Sequence, residues 1–203
     1  MKIICIGRNY VDHAKELNNP VPKEPVFFLK PDTALIPVRN PFVIPSFSQD
    51  VHYEVELVVK INRLGKHINK QFAHKYYNEI SVGVDFTARD IQQQCKEKGL
   101  PWEKAKAFDG SAPTGNFITL DEIDDLNNLN FSLQINGETR QVGNTKNMLF
   151  DVDTIIAYVS QFFTLKIGDY IFTGTPAGVG PIHRNDKVDC YIEDKKLLSF
   201  KVK

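Results

Sequence analysis

His52-Tyr53-Glu54-Val55-Glu56-Leu57-Val58-Val59-Lys60-Ile61 is the stretch whose reading decides the fold. It is rich in β-branched residues and reads as one strand over 52–61. Val55, Leu57 and Val59 point to one side, and Glu54, Glu56 and Val58 to the other. Two glutamates two residues apart on a strand share a face, roughly 7 Å apart at Cα. Their charges repel unless a cation lies between them, and oxygen ligands suit a hard ion such as magnesium, manganese or calcium. A bare Glu-x-Glu is also the ordinary pattern of a solvated strand face, so the pair alone decides nothing.

Working outward, Asp85 lies in Ser81-Val82-Gly83-Val84-Asp85-Phe86-Thr87, a run that otherwise reads as buried strand over 80–86. A buried carboxylate needs a counter-charge. Asp85 is either a third acidic ligand or the cap of a helix expected over 87–98, which closes at Gly99. Three carboxylates around one magnesium ion leave about three of its six positions open. That is the arrangement of a catalytic site rather than a closed structural one. On the same helix Arg89 and Gln92 are spaced i, i+3, so they reach the same place or face solvent together.

Further out the chain alternates between strand and turn. A short strand over 2–6 stops at Gly7, and Asn9 is placed to cap a helix over 10–17. His13 and Glu16 sit three apart on that helix. A carboxylate neighbour holds an imidazole in one tautomer and raises its basicity, although the same pair is common as a surface contact. Seven of the eleven prolines fall in 20–45, which reads as turns and short extended pieces such as 26–29. A helix is expected over 72–78. Asn136-Gly137 between 131–135 and 138–142 is a strong hairpin signal. An amphipathic helix follows over 151–163, capped by Asp151 or Asp153, then a strand over 169–173. A final hairpin is formed by 187–192 and 197–202. The sum is one mixed, β-dominated domain over 1–203. Lys104 and Lys106 flank Ala105, so either one lysine enters a pocket or both are solvated. The loop Gly174-Thr175-Pro176-Ala177-Gly178-Val179-Gly180-Pro181 has no Gly-Lys-Ser/Thr ending, which excludes a Walker A phosphate loop. It can still present Thr175 and backbone N–H groups to a small anion.

Composition narrows the function classes. The 203 residues are 42% hydrophobic, enough for a sizeable core. Lys plus Arg and Asp plus Glu each number 25, so no net charge points to nucleic acid. The three cysteines, Cys5, Cys95 and Cys190, are far apart and form no C-x-x-C pair, which fits a reducing cytoplasm better than a disulfide framework. No stretch approaches the roughly 18 apolar residues of a membrane span.

In order along the chain, these motifs resemble the fumarylacetoacetate hydrolase family. The residues that carry the resemblance are Gly7-Arg8-Asn9-Tyr10 with His13 and Glu16, Phe28-Leu29-Lys30-Pro31, Tyr53-Glu54-Val55-Glu56-Leu57, Val84-Asp85-Phe86-Thr87-Ala88-Arg89-Asp90, Ala105-Lys106-Ala107-Phe108-Asp109, and Gly168-Asp169 through Gly180. The short single-domain branch is the nearest match. The resemblance implies a rolled β-sandwich that pairs as a homodimer. It implies metal ligands at Glu54, Glu56 and Asp85 for Mg2+ or Mn2+, and a His13–Glu16 dyad on a lid helix over about 9–17. It further implies an active-site lysine at Lys106 and substrate contacts from Arg89, Gln92 and Thr175. The reaction expected first is hydrolysis of the C–C bond of acylpyruvate-type 2,4-dioxo acids to pyruvate and a carboxylic acid. Oxaloacetate decarboxylation and 2-hydroxyhepta-2,4-diene-1,7-dioate isomerisation at the same 2-oxo acid site are the alternatives. A non-catalytic dicarboxylate-binding protein is the reading from another class.

Overall fold

The computed structural model describes residues 1–203 except Asn18, Val38 and Arg39, so Val38 and Arg39 of the proline-rich reading over 20–45 lie outside the described residues. The elements in chain order are β1 (Ile3–Gly7), α1 (Val11–Glu16), β2 (Val26–Lys30), β3 (Val51–Tyr53), β4 (Val55–Ile61), β5 (Tyr77–Val84), β6 (Thr87–Ala88), α2 (Arg89–Lys98) and α3 (Glu103–Lys106). They continue with β7 (Ile118–Thr119), β8 (Asn130–Ile135), β9 (Glu138–Asn144), α4 (Val152–Val159), β10 (Tyr170–Phe172), β11 (Gly180–Pro181), β12 (Lys187–Ile192) and β13 (Lys195–Lys201).

Three sheets result. A six-stranded sheet runs β2-β1-β10-β4-β5-β7, a four-stranded one β13-β12-β8-β9, and a three-stranded one β11-β3-β6. The expected rolled β-sandwich is what forms. Val55, Leu57 and Val59 of β4 join one core with Leu133, Val188 and Ile192 of the four-stranded sheet and Ile155 and Ile156 of α4. Val58 faces the other way, into a smaller cluster with Ile3, Cys5 and Phe172. The six-stranded sheet is therefore covered on both faces, which is why β4 reads as an almost unbroken apolar run. All three cysteines are free and buried.

Several local expectations need correction. The strand read as continuous over 52–61 breaks at Glu54: β3 belongs to the three-stranded sheet and β4 to the six-stranded one. The carbonyl of Glu54 instead accepts from the Asp85 N–H (2.8 Å). Asn9 does not cap α1, whose N-cap is Tyr10 without a side-chain cap bond. The Asn9 amide is fully buried and donates to the carbonyls of Phe150 (3.0 Å) and Thr173 (2.8 Å), while its oxygen accepts from the Phe150 N–H (2.8 Å). The helix expected over 72–78 is a 3₁₀ segment, Lys70–Tyr76, that gives way to β5 where Tyr77 pairs with Ile61. The helix expected over 151–163 ends at Val159, and the one expected over 87–98 starts only at Arg89, because Thr87 and Ala88 pair with β3 as β6. Two local readings hold: Asn136 and Gly137 both take positive φ at the β8–β9 turn, and Asp151 caps α4 by accepting from the Thr154 N–H (2.7 Å).

Candidate active site

The site forms where β3, β4 and β5 change partners. Antiparallel pairing of β4 with β5 places Glu56 opposite Gly83 and Val55 opposite Val84, so Asp85, one step beyond β5, arrives beside Glu54. Gly83 permits this register: a Cβ there would lie 2.7 Å from the Phe172 ring. Carboxylate oxygens of Glu54, Glu56 and Asp85 all lie within 4.8 Å of one another, and all three residues are buried. The alternative role of Asp85 as a helix cap is excluded, because α2 begins at Arg89 with Ala88 as its N-cap.

Cations surround this trio. Lys106 Nζ donates to Glu54 Oε2 and Asp85 Oδ2 (both 2.8 Å) and also contacts Thr87 Oγ1. Of the two candidate lysines it is Lys106 that enters the site, while Lys104 is exposed. Arg89 Nη2 donates to Glu54 Oε1 (2.6 Å) and Nη1 to Gln92 Oε1 (2.8 Å), so both side chains line the cleft but already engage Glu54 and each other. Burial pushes the Glu54 carboxyl up, but the charges of Lys106 and Arg89 more than offset this and hold it below the usual carboxylate range. Glu56 behaves oppositely. Burial first, then the neighbouring Asp85 and Glu54 carboxylates, raise it well above the ordinary value, against a short hydrogen bond from the Gly174 N–H (2.6 Å).

These residues fit a divalent cation. Lys106, Arg89 and Lys30 pair with Glu54 and Asp85 but none pairs with Glu56, whose carboxyl is raised by burial and by its two acidic neighbours, so a cation held among the three would relieve that repulsion. Asp85 Oδ1 lies 2.8 Å from Lys30 Nζ but makes no hydrogen bond, so a buried lone pair remains open. An all-oxygen donor set suits a hard ion.

Across the cleft, His13 is buried on α1 and its Nδ1 lies 3.3 Å from Glu16 Oε2. Glu16 also accepts from the Gly178 N–H (3.1 Å), tying α1 to the loop after β10. Thr175 reaches the cleft from that loop, and its Oγ1 accepts from Gln141 Nε2 (2.9 Å). The cleft between the acids and His13 is narrow, about 40 Å³, yet several times the roughly 10–15 Å³ one water needs.

Two residues of the site carried no role in the sequence reading. Lys30 has a fully buried side chain that donates to the carbonyl and hydroxyl of Ser111 (3.1 and 2.9 Å) and to the Lys106 carbonyl, besides pairing with Asp85. Its signal was a lysine closing the apolar run Val26-Phe27-Phe28-Leu29. Gln141 is buried on β9, accepts from the Val55 N–H (2.9 Å) and donates to Thr175 and to the Pro176 carbonyl (3.0 Å). Nothing in the sequence around it marks it out.

Residues 2–203 match the family described as fumarylacetoacetate (FAA) hydrolase C-terminal. The chain belongs to the fumarylacetoacetate hydrolase family. Among its relatives, oxaloacetate tautomerase YcgM of Escherichia coli K12 is 46% identical over 199 residues, spanning 98% of this chain and 91% of that protein. The oxaloacetate tautomerase FAHD1 of Mus musculus, described as mitochondrial, is 45% identical over 201 residues, spanning 99% of this chain and 91% of that protein. A crystal structure of fumarylpyruvate hydrolase from Pseudomonas aeruginosa in complex with Mn2+ and pyruvate superposes with a TM-score of 0.93 at 37% identity, covering 100% of this chain and 89% of that one. No helix among the described residues is long and apolar enough to cross a membrane.

Proposed function

We propose that this chain is a divalent-metal-dependent enzyme acting on oxaloacetate, moving a proton between its enol and keto forms. The observation that carries the reading is the pairing, across one narrow cleft, of a buried three-carboxylate set with a histidine held by a carboxylate. Acylpyruvate hydrolysis, ranked first on the sequence, now stands behind oxaloacetate chemistry. Both relatives named above are oxaloacetate tautomerases, and the hydrolase neighbour is less similar in sequence.

When bound, a divalent cation supplies Lewis-acid stabilisation of the negative charge that develops on a 2-oxo acid. The remaining work falls to side chains. Glu16 is an acceptor only, so the proton on His13 sits on Nδ1 and Nε2 keeps its lone pair. In this reading Nε2 takes the C3 proton of the keto form, and the C2 oxygen gains its enol proton from solvent. In the reverse direction the enol hydroxyl gives its proton to solvent while Nε2 delivers one to C3, the only carbon whose C–H bond changes between the two forms. Lys106 and Arg89 hold the Glu54 carboxylate in place and keep it ionised. Thr175 Oγ1 accepts from Gln141 and donates only a long hydrogen bond to the Pro176 carbonyl (3.5 Å), which a substrate oxygen in the cleft would replace.

The same constellation fits activation of water by His13, which keeps C–C bond hydrolysis as the second reading, supported by the fumarylpyruvate hydrolase neighbour. The test is to follow enol–keto interconversion, pyruvate release from oxaloacetate and cleavage of acetylpyruvate, each with EDTA and with added Mg2+ or Mn2+. Interconversion should be fastest, stop on chelation and return with metal. No acceleration of any oxaloacetate reaction would sink the proposal. Faster acetylpyruvate cleavage would restore the hydrolytic ranking, and binding without turnover of any 2-oxo acid would favour a carrier.

A further inference from the structure

Four cationic side chains, Arg8, Arg89, Lys96 and Lys106, line the cleft together with the three carboxylates. A divalent cation adds two positive charges, so the loaded cleft carries an excess of three. That excess is not spread evenly. Arg89 and Lys106 are committed to Glu54 and Asp85 in the buried interior. Arg8 and Lys96 have no carboxylate within 4.0 Å among the described residues. Lys96 is exposed and Arg8 half-buried, which puts both on the solvent side of the acids.

Both are placed by the fold. Lys96 continues the face of α2 that begins with Arg89 and Gln92, at i+7 and i+4 from them, so one helical stripe runs from the metal set outward. Its ammonium sits near the charges of Arg8, Arg89 and Lys106 which, after partial burial, lower its pKa. Arg8 has a positive φ of 61°, a conformation costly for a side-chain-bearing residue. The buried amide of Asn9 next to it, with its three hydrogen bonds, holds that turn. Two like charges are thus kept at one opening, where among the described residues neither has a carboxylate within ion-pairing distance and Glu54, itself engaged by Arg89 and Lys106, offsets Lys96 only in part.

We infer that Arg8 and Lys96 form a cationic subsite that takes the distal carboxylate of a short 2-oxo dicarboxylic acid. This rests on the reading of the cleft as a 2-oxo acid site and adds what selects among such acids. A monoacid with a neutral tail leaves the outer pair unneutralised, whereas a diacid places one carboxylate at the inner end and one at the outer.

The test separates this inference from the proposed reaction. Difluorooxaloacetate has no C3 proton to move, so its binding does not depend on turnover. Its affinity and that of pyruvate are measured by titration calorimetry on Mn2+-loaded protein, for the unaltered chain, Lys96→Gln, Lys96→Arg and Arg8→Gln. The unaltered chain should prefer the diacid. Lys96→Gln should lower the diacid-to-monoacid affinity ratio about tenfold, and Lys96→Arg should restore it. With oxaloacetate as substrate, KM should rise in Lys96→Gln with kcat changed less than twofold. An unchanged ratio, or equal weakening of both ligands, overturns the subsite. A preserved ratio change in a protein that accelerates no oxaloacetate reaction leaves the subsite standing and removes the tautomerase reading instead. Arg8→Gln should lower the ratio too, and its circular dichroism reports whether the strained turn survives.

Discussion

At the scale of single residues, the site is a balance of buried charges. His13 can be tested apart from the metal set, because its named partner is Glu16 and not a carboxylate of the trio. His13→Ala should lower kcat roughly a hundredfold or more, the usual scale for a lost general base, with metal affinity little changed. Metal affinity lost along with kcat would place His13 in the metal set instead. Lys30→Met should destabilise the fold by about 3–5 kcal/mol in urea unfolding, since it strands Asp85 without its fully buried partner. A loss under 1 kcal/mol would mean Lys106 alone satisfies Asp85.

Glu56 ties pH to metal. Its raised pKa means the cation-free folded chain holds a proton there that the unfolded chain gives up near the ordinary glutamate value of about 4.3. Folding without metal therefore becomes less favourable as pH rises above that value, until the folded pKa is passed. Metal binding must expel the same proton, so affinity should climb with pH over the same window. Thermal melts of chelated protein across pH check the first point. Glu56→Gln should flatten the slope and abolish metal binding, while an unaltered slope in that variant would assign the proton elsewhere.

At the scale of elements, the features legible in the sequence are those set by neighbours along the chain. The Asn136-Gly137 turn and the Asp151 cap depend on local backbone geometry, and both stand as read. Asp151→Ala should accordingly cost about 1 kcal/mol of stability, measured by chemical unfolding. An unchanged midpoint would mean the tertiary contacts of α4 hold its first turn without the cap. The misreadings share a different cause. Glu54 looks like mid-strand because its neighbours are apolar, yet the chain changes sheets there, and only the partners β6, β11 and β5 decide that. Asn9 has the chemistry of a cap, but two carbonyls and an N–H more than 140 residues away compete for its amide and win.

At the scale of the whole molecule, one large core runs from β4 through the four-stranded sheet to α4. We propose that residues 1–203 act as one domain, which predicts a single cooperative thermal transition, shifted upward together by Mg2+ or Mn2+. Two separated transitions would divide the domain. The homodimer implied by the family resemblance is likewise a proposal, and analytical ultracentrifugation gives its answer directly.

The sequence by itself determined the class of fold and, through strand periodicity, helical spacing and ordered motifs, the candidates Glu54 with Glu56 and His13 with Glu16; that Asp85 joins the two glutamates instead of capping a helix was decided by the pairing of β4 with β5. Only the tertiary structure decided that Lys106 rather than Lys104 enters the site, that Lys30 and Gln141 hold its parts, and that Arg8 and Lys96 share one opening. Those relations join residues up to 88 positions apart, as Lys96 is from Arg8. Whether a charge is neutralised depends on distance in space, which a linear pattern does not encode.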